Sequence, residues 1–104
     1  MDFNIESTFE NDCWHVELSG EIDIYNSADL KTKLKSLVDE KATDLRINCK
    51  NLVYIDSTGL GALVGVLKHV KSHNKEMYLI NVKANILKLF RITNLDNVFI
   101  IEEG

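Results

Sequence analysis

Three consecutive polar residues, Asp56, Ser57 and Thr58, offer the clearest chemistry in the sequence, because they end an apolar run just before a glycine-rich stretch. Ser57 stands where a helix N-cap is expected, and its hydroxyl oxygen could accept a hydrogen bond from a first-turn backbone N–H. The same position suits a phosphate, because unpaired N–H donors and the positive end of the helix dipole stabilise an anion. Phosphorylation would add roughly −1.5 to −2 charge beside Asp56 and repel a docked partner. Local chemistry leaves both interpretations open.

Two glycines, Gly61 and Gly65, lie one turn apart in the helix that follows Ser57. Each costs roughly 1 kcal/mol relative to alanine in a helix interior, so another interaction should compensate. Close packing of this helix on the sheet is the favoured explanation. The alternative is a flat patch beside Ser57 that lets the backbone of a partner approach.

Known catalytic and metal-binding motifs do not fit these residues. The D-S-T-G run has one residue too many for an aspartic protease motif, and no G-x-S-x-G elbow surrounds Ser57. Residues 59–61 lack the glycine pattern and the following Lys-Ser/Thr pair of a phosphate-binding loop. His69 and His73 are spaced i, i+4, but neither an H-E-x-x-H motif nor a third ligand accompanies them, so we interpret them as a solvated helix face. The sequence predicts no enzyme, no metal site and no cofactor.

Size and composition describe an ordinary globular protein. The chain has 104 residues, of which 45% are hydrophobic and 27% charged, which suits a single domain. A net charge of −4 and dispersed lysines argue against nucleic acid as a partner. Cys13 and Cys49 are interpreted as buried, unpaired thiols. No signal peptide and no apolar run of about 20 residues is present, so we expect a cytoplasmic protein without a membrane partner.

The apolar pattern alternates between strand and helix periods. Residues 5–9 and 14–18 alternate as strands around a turn at residues 10–12, which predicts a hairpin. Asn26 or Ser27 can cap a first helix ending near Lys41, and a second helix runs to about His73. Further strands are predicted at 45–49, 77–82 and 98–101, with a connector after residue 49 and a third helix around residues 86–90.

This order of elements predicts an α/β fold with a single mixed sheet. The N-terminal hairpin is antiparallel, and the later strands, separated by helices, should be parallel through right-handed crossovers. The pattern does not decide whether the helices cover one face of the sheet or both.

Three blocks of the sequence resemble the anti-sigma factor antagonists, whose fold is the STAS domain, and in particular the bacterial general-stress and sporulation antagonists. They are Gly20–Ser27 (GEIDIYNS), Tyr54–Gly61 (YIDSTGLG) extended through Lys68, and Leu89–Leu95 (LFRITNL). The central block is highly specific when it follows an apolar strand, whereas the other two are weak alone. With the order of elements, the resemblance covers essentially the whole chain and implies one STAS domain over residues 1–104.

The resemblance implies a partner switch at Ser57. In this family the serine of the D-S-[ST]-G-L-G block is phosphorylated by the anti-sigma factor, which is itself a serine kinase. The unphosphorylated antagonist binds that kinase and frees a sigma factor, and a separate phosphoserine phosphatase restores the binding form. Asp23 matches an acidic residue that supports kinase recognition. The partner-binding residues implied are Asp23, Asp56, Ser57, Thr58, Gly59, Leu60 and Gly61.

Some alternatives stay open beside this resemblance. Asp23 could instead cap the first helix. Thr58 matches the second hydroxyl position and is the less favoured phosphate acceptor. Asn94 stands where glycine is common, and asparagine also tolerates a left-handed conformation. The rival function is a non-switching STAS accessory subunit of a lipid-transport complex, and a hydrolase with Ser57 as nucleophile is a distant third.

Overall fold

The chain begins with the predicted antiparallel hairpin. In the computed structural model, which describes residues 2–103, strand β1 (Phe3–Glu10) pairs with β2 (Cys13–Ile22). Asn11 and Asp12 connect them with φ angles of 53° and 56°. This is the backbone of a type I′ turn, which matches the twist of the flanking strands. Both strands are longer than predicted because their pairing extends from Phe3↔Gly20 to Glu10↔Cys13.

Helices and strands then alternate in the predicted order. The elements are α1 (Ser27–Glu40), β3 (Asp44–Ile55), α2 (Ser57–Ser72), β4 (Met77–Val82), α3 (Ala84–Ile92) and β5 (Ile100–Glu103), with a 3₁₀ turn at Leu95–Asn97 before β5. The predicted helix ends at Lys41 and His73 coincide with the C-caps of α1 and α2. Within residues 2–103, none of these helices has the length and apolar character needed to cross a bilayer.

Two predicted strand boundaries are wrong. The predicted connector after residue 49 does not exist, because β3 stays paired with β2 as far as Ile55. The last strand begins at Ile100, since Val98 still ends the 3₁₀ turn. The prediction for Asn94 is confirmed: it adopts the left-handed conformation, with φ 59°, between α3 and that turn.

The five strands form one mixed sheet in the order β1-β2-β3-β4-β5, antiparallel only between β1 and β2. Alternate strand residues, such as Val16, Ile47 and Leu79, share one apolar core with buried residues of all three helices. His15 and Arg46 pair on the opposite face and are only partly buried. The helices therefore cover one face of the sheet, which the sequence pattern had left undecided.

Close packing on the sheet explains Gly59 but neither Gly61 nor Gly65. A Cβ atom at Gly59 would lie 2.5 Å from Cγ1 of Ile55 in β3. At Gly65 it would lie 2.6 Å from Cε of Lys31 in α1, so the neighbour there is a helix side chain. At Gly61 nothing lies within 4 Å. The favoured explanation was therefore wrong for both residues, and Gly61 opens onto the surface.

Candidate functional site

The candidate site lies where β2 and β3 end side by side. Carboxyl ends of neighbouring parallel strands meet at the same edge of a sheet, and Ile22 pairs with Ile55 at the last position of the register. Asp23 and Asp56 follow these two residues. The backbone N–H of Asp56 donates to the carbonyl oxygen of Ile22 at 3.2 Å. The fold thus brings the first and the central sequence blocks together.

Asp56, and not Ser57, is the N-cap of α2. Its backbone is extended (φ −103°, ψ −175°), and its Oδ1 accepts hydrogen bonds from the N–H groups of Thr58 and Gly59, both at 3.0 Å. Ser57 already belongs to the helix as its first residue. The predicted cap was therefore displaced by one residue. The first-turn donors expected to receive a phosphate are already occupied by the Asp56 carboxylate.

The capping hydrogen bonds also keep Asp56 ionised. The hydroxyl of Thr58 donates to Oδ1, and this bond is the main cause that lowers the pKa of Asp56 below its ordinary value of 3.8. Partial desolvation opposes the shift, while backbone N–H donors from Gly59, Thr58 and Ile24 add to it. A carboxylate that accepts several donors is stabilised in its charged form. Asp56 therefore contributes a fixed negative charge beside Ser57.

Ser57 is the accessible hydroxyl of this loop. Its side chain is exposed, and within residues 2–103 its hydroxyl makes no hydrogen bond. Thr58 is partly buried and its hydroxyl is held by Asp56. An enzyme that modifies this loop would meet the Ser57 oxygen without breaking a contact, whereas Thr58 would first have to release a helix cap. The structure thus gives a reason to prefer Ser57 over Thr58 as the phosphate acceptor.

Asp23 is buried, with an exposed fraction of only 5%. Its Oδ1 accepts from the backbone N–H of Tyr25 at 2.9 Å, and its own N–H donates to the side chain of Asn26 at 2.8 Å. Asn26 is the N-cap position of α1, so the alternative that the Asp23 side chain caps this helix is wrong. Asp23 instead holds the turn that connects β2 to α1.

That turn presents two apolar side chains which the sequence interpretation did not single out. Ile24 is 66% exposed and Tyr25 is 92% exposed, although large apolar residues are usually buried in a domain of this size. Tyr54, the penultimate residue of β3, is 44% exposed at the same edge. All three lie within the sequence blocks, and adjacent apolar residues in a polar turn were the signal that could have identified them. These three exposed side chains and Ser57 follow or end the adjacent strands β2 and β3, and we call this part of the sheet edge the Ser57 surface.

Of the three remaining residues in the implied partner-binding set, Gly59, Leu60 and Gly61, only Gly61 is exposed. Gly59 and Leu60 are buried, with Leu60 3% exposed, so both pack α2 against the core and offer little surface to a partner. Gly61 is exposed. It lines a shallow groove of about 230 Å³ between the first turns of α1 and α2. The groove is bordered by Ser27, Ala28, Lys31, Thr58, Gly61 and Ala62.

No histidine is placed to activate Ser57. His69 lies on the same helix but about 18 Å farther along its axis, at a rise of about 1.5 Å per residue. His15 lies on β2, about 23 Å before the end of that strand at about 3.3 Å per residue. A serine nucleophile needs a base within hydrogen-bond reach. The geometry disfavours a hydrolytic role for Ser57.

The interpretation of His69 and His73 as a solvated pair without a third ligand needs correction. Oδ1 of Asp39, on α1, lies 2.6 Å from Nε2 of His69, and His69 is partly buried. The cysteines are free, as predicted, although Cys13 is only partly buried. Burial raises the pKa of the Cys49 thiol to about 12 and also raises that of Cys13, so neither favours the thiolate that binds metals.

Comparison with known families gives a match over almost the whole chain. The model of the STAS domain family matches residues 4–103. The anti-sigma-B factor antagonist of Staphylococcus aureus is 36% identical over 104 residues, which is 100% of this chain and 96% of that protein. The central block of the sequence therefore lies within a similarity that extends from end to end.

Solved structures share the fold at lower identity. An anti-sigma factor antagonist from Mycobacterium paratuberculosis superposes with a TM-score of 0.86 at 17% identity, covering 99% of this chain and 87% of that one. SpoIIAA in its unphosphorylated form gives 0.73 at 19% identity, with 99% and 89% covered. The Bacillus cell fate determinant SpoIIAA in its phosphorylated form gives 0.71 at 20%, with 99% and 93% covered. The same architecture is thus known both with and without phosphate.

Proposed function

This chain belongs to the STAS domain family, and we propose that it acts as an anti-sigma factor antagonist controlled by phosphorylation of Ser57. The unphosphorylated protein binds an anti-sigma factor serine kinase in the cytoplasm and thereby releases a sigma factor. The phosphorylated protein does not bind, and a phosphoserine phosphatase restores the active form. It is a binding protein and not an enzyme.

The observation that carries this proposal is the environment of Ser57. Its hydroxyl is exposed and makes no hydrogen bond among residues 2–103, while the neighbouring Thr58 hydroxyl is held by Asp56. Exposed apolar side chains at Ile24, Tyr25 and Tyr54 lie at the same sheet edge, where the backbone of Ile24 donates to the carboxylate of Asp56, the residue before Ser57. Such side chains are typical of the centre of a protein interface. A phosphate at Ser57 would therefore enter a docking surface.

Electrostatic repulsion explains how phosphorylation would release the partner. Asp56 is held ionised beside Ser57, and phosphorylation adds roughly −1.5 to −2 charge at pH 7. An apolar contact that must desolvate this charge is lost, because burying an uncompensated anion is strongly unfavourable. A thousandfold loss of affinity corresponds to about 4 kcal/mol, which repulsion and desolvation together can supply.

The fold tolerates the phosphate for a reason that differs from the expected one. The first-turn N–H groups of Thr58 and Gly59 are already bonded to Asp56, so they do not receive the phosphate. Tolerance comes from the exposure of Ser57, which lets water solvate the phosphate. The switch therefore changes the surface without disturbing the helix cap.

The direct test is phosphoryl transfer in solution. The purified chain is mixed with the anti-sigma factor kinase of the same organism and ATP, and its intact mass is followed. We expect one phosphoryl group on the native chain and on Thr58→Val, and none on Ser57→Ala. Isothermal titration should show that the native chain binds the kinase and that the phosphorylated chain does not. Absence of the mass increment, or its persistence in Ser57→Ala, would refute the proposal. Tight docking on a transporter without any phosphoryl transfer would instead support the accessory-subunit alternative.

A further inference from the structure

The C-terminal ends of α1 and α2 converge on a cluster of three donor side chains at the opposite end of α2 from Ser57. Asp39 lies in the last turn of α1, His69 lies in the last turn of α2, and His73 is the C-cap of α2. Oδ1 of Asp39 is 2.6 Å from Nε2 of His69. The rings of His69 and His73 meet edge to face, with centroids 5.3 Å apart. This cluster plays no part in the proposed switch.

The spacing of these side chains suits a metal ion. One donor atom from each of Asp39, His69 and His73 can be chosen so that all three lie within 4.8 Å of one another. Zinc binds histidine nitrogen and carboxylate oxygen at about 2.0–2.2 Å, so the ligands of a tetrahedral ion lie about 3.3 Å apart. Small side-chain rotations would bring the three donor atoms from their present separations to this tetrahedral spacing. Histidines at i and i+4 face the same side of a helix and can share an ion.

The local charge also favours a cation. The carbonyl ends of two helices meet here, and each carries the negative end of a helix dipole. The last turn of α1 contains no basic residue. Lys71 is paired with Glu76 at 2.6 Å, and the ammonium of Lys41 lies over the ring of Phe9 at 4.0 Å. These two lysines are therefore engaged elsewhere, and Lys68 and Lys75, which also lie within two residues of the histidines, are exposed.

We propose that Asp39, His69 and His73 bind one divalent transition-metal ion, for which Zn²⁺ is the best match, and that the ion joins the end of α1 to the end of α2. Two imidazoles and one carboxylate form a donor set that zinc accepts, with water in the remaining position. Mg²⁺ prefers oxygen ligands in octahedral geometry and should not bind. Binding through Nε2 of His69 requires that nitrogen to carry no hydrogen, so a hydrogen that bonds Asp39 there moves to Nδ1 or to solvent when the ion enters.

The competing interpretation is an ordinary hydrogen-bonded pair of His69 and Asp39. The two interpretations differ in the role of His73, which the pair does not need and the ion does. They also differ in their response to metal, since a pair would be indifferent to micromolar zinc. A readout that depends on both His73 and added zinc therefore separates them.

The test is titration of the tag-free chain with ZnCl₂ at neutral pH, measured by isothermal calorimetry. We expect one equivalent of Zn²⁺ to bind, at least tenfold weaker binding in His73→Gln and in Asp39→Asn, and no heat with MgCl₂. His15→Gln removes the one histidine outside the cluster and should bind like the native chain. Ser57→Ala should also bind normally, because Ser57 lies at the other end of α2.

Thermal unfolding provides a second measurement, because an ion that binds only the folded state raises the midpoint temperature. Excess Zn²⁺ should raise it for the native chain and for His15→Gln but not for His73→Gln. Absence of saturable zinc binding by the native chain would overturn the proposal. Undiminished binding by His73→Gln, or loss of binding in His15→Gln with the fold intact by circular dichroism, would overturn it too. Failure of phosphoryl transfer to Ser57 would leave these results unchanged.

Discussion

Replacing Gly61 by alanine should stabilise the free protein and weaken its complex with the kinase. Gly61 lies inside α2, its φ is not in the left-handed region, and a Cβ there would meet nothing within 4 Å. Alanine is favoured over glycine in a helix interior by about 0.8–1.0 kcal/mol. For a domain of about 100 residues, 1 kcal/mol corresponds to a rise of roughly 4–8 °C in the midpoint temperature.

The same methyl group should obstruct a docked partner. Gly61 lines the groove between α1 and α2, at the edge of the Ser57 surface. If the backbone of a partner approaches this groove, a Cβ forces it away, and we expect at least a tenfold loss of affinity, or about 1.4 kcal/mol. A variant that gains stability but loses affinity identifies a glycine that is retained for contact with a partner. If the glycine were retained for packing, the alanine variant would lose both stability and affinity.

Gly65→Ala is the matched control, one turn farther along the same helix. Its Cβ would lie 2.6 Å from Cε of Lys31, a flexible side chain that can move aside. We expect a smaller gain in stability and a smaller loss of affinity than in Gly61→Ala, because Gly65 does not line the groove and affects it only by moving Lys31. Midpoints come from calorimetry, and affinities come from titration of unphosphorylated protein with the kinase. Loss of stability in Gly61→Ala would contradict the open space found around Gly61. A stabilised variant with unchanged affinity would show that the groove is not part of the interface.

Three further predictions concern Asp56, Ser57 and Leu60, at the start of α2. Asp56→Ala removes the cap of α2 and should cost about 0.5–2 kcal/mol in urea unfolding at pH 7. Because the folded pKa of Asp56 is lowered, its contribution is fully present above about pH 4 and is lost as the pH falls through the folded value, so the difference from the native chain should shrink near pH 3. Leu60→Ala should cost about 2–5 kcal/mol, as a cavity in the core does. Ser57→Asp should keep the free energy of unfolding within about 1 kcal/mol of native, because an acidic residue is favourable in a first helical turn, while its affinity for the kinase falls sharply.

Each of these predictions has a result that contradicts it. A cost of Asp56→Ala that stays constant down to pH 3 would mean that the carboxylate charge does not contribute to the cap. A Leu60→Ala variant that unfolds like the native chain but no longer binds the kinase would make Leu60 a contact residue. Unfolding of Ser57→Asp under native conditions would show that the fold does not tolerate charge there.

Much of the fold follows from local patterns. Alternation at residues 14–18 and 45–49 predicts strands with one buried face, and the spacing of Leu30, Leu34 and Val38 predicts the buried side of α1. Asn94 adopts the left-handed conformation that its type permits. Boundaries are less determined locally: β3 continues to Ile55 only because β2 pairs with it that far. Strand length therefore depends on the neighbouring strand as much as on the residues of the strand itself.

In the candidate site, too, local sequence predicts some features and tertiary contacts decide others. The D-S-T-G-L-G block identifies the loop, but the residue that caps α2 could not be read from it, since aspartate and serine are equally good caps and stand side by side. The backbone dihedrals give that role to Asp56 and leave the Ser57 hydroxyl exposed. The exposure of Ile24 and Tyr25 also depends on the path of the turn that Asp23 holds.

The sequence by itself determined the order of the elements, the parallel character of the later sheet and the loop that contains Ser57, because these depend on periodicity and on residue types a few positions apart. Only the tertiary structure decided that the helices cover one face, that Gly61 is open while Gly59 is packed, and that Asp39 meets His69 across two helices. Those features depend on contacts between residues far apart in the chain, whose distances are set by the packing of whole elements and not by the spacing within any one of them.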